Sequence, residues 1–412
     1  MRKIPNKPNL TQKPKRNFNM QNRLSNLDCA RGVAAFGVVL YHCGFSEWAP
    51  WYWGSMDFFF VLSGLLITKS LINLIKFDGT LLHFLLYRAA RLLPVMVIVL
   101  AGYEAAVLLL NNSFIPIDIN HNRQSLETLP YLLLFQNTDL MIYGEQTFRR
   151  IPELVHFWSL MLEEQFYLCW GILVFTAWRK NVVLNVPVFL TLIALIVSSV
   201  VVRYHGGHLW TIAGRLDGFL VGTLLGMFMY GNVSQGIRKI YSHSEPFLSP
   251  IFAITCGWLL FSSANMYSYE GKAINSPTVW IDVTAFSLWS AFIIVKLIKS
   301  TSEQPRTSTI YRAMHYFGII SYELYVLHMP VAISIKKVIQ PGTITDNILI
   351  ACLTLAITVP AAHMLHYRVT RPALKNRRRI SEVLDGFTNH CKTALTKLIN
   401  RTPSFRFNSR EI

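Results

Sequence analysis

Ten stretches of the chain are each long and apolar enough to cross a lipid bilayer as a helix: 27–45, 53–75, 91–110, 158–178, 182–202, 211–230, 247–264, 278–298, 316–335 and 346–367. About twenty apolar residues are needed per span, and lipid cannot hydrogen-bond an irregular backbone. The chain therefore predicts an all-α, polytopic membrane helix bundle of about ten transmembrane helices. Composition agrees, since 52% of the 412 residues are hydrophobic and only 15% are charged.

The net charge of +17 would suit a nucleic-acid binder, but the basic residues concentrate in the two tails and in the short connections between apolar runs. That distribution follows the positive-inside rule and excludes nucleic acid as a partner. An even number of spans places both termini on one side, and the charge bias makes that side the cytoplasm. Residues 1–26 read as a disordered basic arm, 27–370 as the transmembrane domain and 371–412 as a basic cytoplasmic tail with Arg377, Arg378 and Arg379 in a row. The first span lacks the form of a cleaved signal peptide. The six cysteines show no paired ligand spacing, and the pairs His205/His208 and His363/His366 have no carboxylate or thiolate at metal-site spacing, so no metal is expected.

Charged residues inside the spans are costly in hydrocarbon and mark function by default. The first span carries Arg31 and His42. Eleven residues at about 100° each bring the two onto one helical face, about 16 Å apart along the axis. Arg31 then lies toward the cytoplasm and His42 toward the outside. One reading is a cation and a base facing opposite compartments; the other is a snorkelling arginine and an interfacial histidine. Arg88 and Arg91, in the connection before the third span, stand one turn apart at the inner surface. Paired guanidiniums there fit either a phosphate clamp or ordinary anchoring to anionic lipid. Pro94 reads as a helix start.

The fourth span opens with Glu163 and Glu164, and His156, Glu163 and Trp170 fall at sevens on one face. Glu163 suits the orientation of an imidazole. In the second span Asp57 is either a cap or a catalytic acid, with Ser63 and Gly64 deeper. The sixth span has glycines at 214, 218, 222 and 226, a ladder for close helix packing, flanked by Arg215 and Asp217. In the ninth, Ser321, Tyr325 and His328 share one face, as a hydrogen-bonded seam or as a channel wall. The longest connection, 111–157, is extracytoplasmic, and its length suits a role in holding an outer substrate.

Taken together and in order, Arg31 and His42, FFFVLSGLLI, RAARLLP, WSLMLEEQFY, GRLDGFLVG and SYELYVLHMP resemble the integral-membrane acyltransferase family 3. Its members are bundles of about ten helices that acylate sugars and other hydroxyl-bearing acceptors. The resemblance implies a catalytic histidine at His42, an acidic residue at Glu163, and donor-binding arginines at Arg31, Arg88 and Arg91. Asp57, Ser63, Arg215, Ser321, Tyr325 and His328 form a second tier. One departure is Thr370, which stands where family members often have glutamate. The resemblance further implies acyl-CoA as donor substrate, with acetyl the default group and acetyl-CoA the default donor, and no permanently bound cofactor. The acceptor would be a saccharide or lipid-linked saccharide of the cell envelope, lipopolysaccharide O-antigen or another surface polysaccharide, acylated at the bacterial inner membrane. Direct O-acetylation, with neutral His42 oriented by Glu163 and removing the acceptor's proton, is the simplest chemistry. The competing class is a transporter or channel whose charges line a solute path, although internal repeats and paired broken helices are lacking.

Overall fold

A computed structural model describes residues 15–46, 49–77, 79–111, 128–133, 136–137, 151–178, 182–266, 278–300, 308–376 and 386. Nearly all of this is helix, as a chain that satisfies its own backbone in lipid requires. The elements are α1 (Lys15–Leu40), α2 (Ser55–Lys76), α3 (Leu81–Asn111), α4 (Trp158–Ala177), α5 (Val186–Tyr204), α6 (Ile212–Tyr230), α7 (Gln235–Met266), α8 (Val279–Lys299), α9 (Thr309–Ile319), α10 (Ser321–Val338) and α11 (Ile344–Leu365). A two-residue parallel pair, β1 (Val183–Leu184) with β2 (Asn232–Val233), ties the start of α5 to the end of α6. Among the described residues seven helices are long and apolar enough to cross a membrane, eight if the bent pair α9 and α10 forms one span. The stretches 27–45 and 247–264 fall on α1 and α7, which are long enough at 26 and 32 residues but richer in polar side chains.

Helices α2 and α6 pack most intimately, and the glycine ladder is the reason. A methyl group at Gly222 would overlap the carbonyl of Val61, and one at Gly64 would overlap that of Phe219. Without side chains at these points the two backbones touch, which in lipid replaces the missing hydrophobic drive with van der Waals contact. Phe219 then stacks at 4.6 Å on Phe166 of α4 and at 4.7 Å on Phe60, so the same seam gathers a third helix.

Behind this seam lies a buried ion pair. Arg203 of α5 holds both oxygens of Asp217 at 3.1 and 2.9 Å, and both side chains are fully buried. Thr284 donates to Asp217 at 2.5 Å and accepts from Arg203 at 2.7 Å, which joins α8 to the pair. Removing one partner would strand a buried charge, so Asp217→Ala is expected to destabilise the fold by about 3–5 kcal/mol. A thermal-melt series in detergent, comparing Asp217→Ala with Asp217→Asn, measures it, with the alanine variant melting well below the asparagine one.

Three sequence expectations change. Residues 15–26, expected to be a disordered arm, continue α1 as helix, while 1–14 and 377–385 lie outside the described residues. Helix α3 starts at Leu81, so Arg88 and Arg91 sit within a continuous helix and Pro94 lies inside it rather than at its start. The amphipathic turns before Pro94 are held by packing of Phe84 and Leu92 into the core, which outweighs the one backbone bond that proline removes. The expected ninth span is bent by 82° between α9 and α10. Gly318 at this corner packs against the backbone of Asp28, letting α9 lie close along α1 and bringing Ser321 beside Arg31. Most of the 111–157 connection lies outside the described residues, so its proposed hold on a substrate does too.

Candidate active site

The first helix does not continue unbroken through His42. After Leu40 the chain makes one π-helical turn, Tyr41–Phe45, which contains Gly44 at φ 104°, a left-handed conformation that a side chain would resist. Asn347 of α11 donates to the Gly44 carbonyl at 2.9 Å and fixes that turn. Wide turns of this kind re-aim a side chain within a helix, and here the re-aimed residue is His42. Its Nδ1 lies 3.0 Å from the carbonyl of Val38 and 3.2 Å from Nε2 of His328 on α10. His328 Nδ1 in turn donates to the Tyr325 carbonyl at 2.6 Å. A third ring, His156, stands 5.0 Å from His328, with neither of its buried nitrogens hydrogen-bonded among the described residues. No group of His, Cys, Asp or Glu among the described residues has the arrangement of a metal site.

His156 belongs to a 3-10 turn, Pro152–Phe157, that precedes α4. The expected heptad face of His156 with Glu163 is therefore broken by the change in helical pitch. Glu163 likewise does not orient His42, because both bonds to that ring come from Val38 and His328. Its hydroxyl partner is Ser63 of α2, which donates to Oε1 in a short hydrogen bond. Ser63 and Glu163 face a cavity whose inner wall carries Arg31, Arg88 and Arg91 and whose far wall carries Ser159 and Tyr325. If the bond to Ser63 is the main duty of this carboxylate, Glu163→Gln keeps an acceptor for Ser63 and leaves kcat within about tenfold of wild type, whereas the partner of a general base would lose about 100-fold. Steady-state kinetics of the variant separates the two.

Arg31 is pinned at 3.1 Å by Asp28 and at 2.9 Å by Ser321. Arg88 lies over the rings of Tyr167 at 4.7 Å and Phe84 at 5.7 Å. Neither Arg88 nor Arg91 has a hydrogen-bonded carboxylate among the described residues. The three guanidiniums line not only the inner cavity wall but also a second cavity, bordered by Tyr322, Glu323 and His366. They therefore stand between the two cavities as a cluster of positive charge. The half-buried guanidiniums of Arg88 and Arg91, without a bonded counter-ion among the described residues, suit an anion.

The polar stripe of α10 links the two ends of the arrangement. Ser321 holds Arg31, Tyr325 closes the cavity, and His328 meets His42. Tyr325 shares a 2.6 Å hydrogen bond with Ser159 and donates to the His156 carbonyl at 2.6 Å. The hydrogen-bonded seam is present, and two of its three residues, Ser321 and Tyr325, also line the cavity while His328 does not. Asp57 and Arg215, by contrast, are brought to each other: Arg215 Nη1 donates to Asp57 at 2.6 Å, both are buried, and the guanidinium lies 4.5 Å over Trp53. Neither lines the arginine cavities, and their geometry is that of a bolt between α2 and α6. Thr370 donates at 2.6 Å to Glu323, which also meets His366 at 3.0 Å, so this position is tied into the wall of the second cavity.

The residue that sequence reasoning left outside the site is His156. Its contacts come from α10, far along the chain, and spacing within its own segment pointed to Glu163 instead. Its one local signal was a histidine directly before the aromatic start of an apolar helix.

Comparison with known proteins gives a consistent result. The family model described as an acyltransferase domain matches residues 24–366. The chain is 24% identical over 404 residues to the peptidoglycan O-acetyltransferase OatA of Listeria monocytogenes, covering 89% of this chain and 57% of that protein. It is 25% identical over 345 residues to the O-acetyltransferase OatA of Staphylococcus aureus, covering 78% of this chain and 52% of that one. The chain thus spans little more than half the length of these relatives. No solved structure matches.

Proposed function

Because this chain belongs to the acyltransferase family defined by that domain, we propose that it is a multi-pass membrane O-acetyltransferase that moves an acetyl group from acyl-CoA to a hydroxyl of a cell-envelope polymer. The observation that carries the reading is the separation of two chemistries along one bundle. A cluster of three arginines, two of them with no bonded carboxylate among the described residues, lines two cavities at one level, and a hydrogen-bonded histidine sits in the π-helical turn beyond the far end of α1. Coenzyme A carries several phosphate charges on one end and a slender thioester arm on the other. Arg88 and Arg91 would take the phosphates, Arg31 the border between the two cavities, and the arm would pass along Ser63 and Glu163 toward Tyr325.

At the histidine end neutral His42 takes the proton of the acceptor hydroxyl as its oxygen attacks the thioester carbonyl carbon. The new C–O bond forms, the C–S bond breaks, and the proton passes to the departing thiolate. Both termini belong on the donor side in this scheme, in agreement with the excess of Lys and Arg there. Peptidoglycan, the acceptor named for the Listeria relative, is a better first choice than lipopolysaccharide O-antigen among the envelope polysaccharides that the resemblance implied. Membership of an acyltransferase family supports group transfer over a solute path.

The test is transfer of label from acetyl-CoA, labelled in its acetyl group, to soluble peptidoglycan fragments by the purified chain in proteoliposomes. Base-labile label on the fragments is the expected result. Label that never leaves coenzyme A, with peptidoglycan and with O-antigen saccharide alike, would remove the reading.

A further inference from the structure

The two histidines that meet at the outer end of the bundle have fixed donor and acceptor roles, and those roles follow from the atoms around them. A backbone carbonyl only accepts, so the 2.6 Å contact between His328 Nδ1 and the Tyr325 carbonyl places the proton of neutral His328 on Nδ1. Its Nε2 then carries a lone pair. That lone pair faces Nδ1 of His42 at 3.2 Å, and the Val38 carbonyl faces the same atom at 3.0 Å. Two acceptors converge on one nitrogen, so neutral His42 also carries its proton on Nδ1. The nitrogen left without a proton is Nε2, which makes no hydrogen bond to the described residues.

We propose that His328 is a positioning residue for His42: it locks the tautomer that leaves Nε2 basic, holds the ring, and stabilises the imidazolium that forms when Nε2 takes a proton. Orienting the far nitrogen of a catalytic imidazole is a duty commonly met by a buried carboxylate. In this bundle a carboxylate beside His42 would itself have to be buried near the apolar core. His328 is fully buried and supplies the same lone pair without a resident charge. The bend between α9 and α10 starts the helix that carries His328, and Pro330 lies within that helix just beyond it. His156 packs against the far face of His328 at 5.0 Å, and Tyr325 packs beside it at 5.4 Å, so the ring has little freedom to turn.

The inference rests on His42 as the base of the proposed transfer, and three variants separate the two claims. His328→Gln places an amide oxygen close to where Nε2 stood and can still accept from His42, while His328→Leu removes the acceptor and keeps apolar bulk. The readout is thiol release from acetyl-CoA in the presence of peptidoglycan fragments, measured on the full chain in proteoliposomes for wild type, His328→Gln, His328→Leu and His42→Ala. Expected is a fall in kcat of about 100-fold for His328→Leu with an unchanged KM for acetyl-CoA, and recovery to within about tenfold of wild type in His328→Gln. A purely structural role would not return with the acceptor atom. The proposal is overturned if His328→Leu, melting as wild type does, keeps its kcat within twofold, or if glutamine is no better than leucine. An active His42→Ala would instead remove the base assignment itself, which is a distinct outcome from loss of the positioning role alone.

Discussion

Alanine at His42 is expected to cut acetyl transfer by about 100- to 10,000-fold, the range that a positioned general base supplies. The fold should survive it. His42 is half-buried and, among the described residues, its ring bonds only to Val38 and His328, so truncation opens space at the end of α1 without stranding a charge. The KM for acetyl-CoA should not move, because His42 does not line the cavities that hold the three arginines. Steady-state kinetics in detergent or proteoliposomes reads both parameters. A raised KM with a preserved kcat would place His42 in binding rather than chemistry.

The double variant Arg88→Ala with Arg91→Ala should behave in the opposite way. A hydrogen bond to a charged group is worth about 1.5–3 kcal/mol, so losing two such contacts to phosphate raises the KM for acetyl-CoA by about 100-fold or more. Arg88 also lies over Tyr167 and Phe84 and contributes packing. Lysine at both positions separates the two effects: it keeps charge but loses the planar fork, and should recover only part of the affinity. A wild-type KM in the alanine variant would assign these arginines to lipid headgroups instead.

Much of this arrangement was legible in the residues because lipid leaves a chain few choices. The helical architecture followed from apolar run length, the α2–α6 seam from glycines at every fourth position, and the inner arginines from their one-turn spacing. Ser321, Tyr325 and His328 were legible as a stripe, because intramembrane polar groups must find partners. What those partners are was not. His42 and His328 are 286 residues apart in sequence, and the pairing of α1 with α10 depends on the 82° bend that no local periodicity announces. Glu163 was assigned to His42 as the acidic residue that the resemblance implied, yet its partner came from the neighbouring α2, where Ser63 stood only in the second tier. Arg215 and Asp57 drew attention as intramembrane charges and proved to be each other's partner. A charge within a span signals that something must answer it, and the answering group is as often structural as catalytic.

In the proposed transfer, donor and acceptor meet from opposite faces of one bundle. Sealed proteoliposomes of known orientation test it most directly, with labelled acetyl-CoA confined to the side of the termini and peptidoglycan fragments confined to the other. Transfer of label across the closed membrane, absent when the two compartments are exchanged, is the predicted result. Label that appears only when donor and acceptor share one compartment would contradict it.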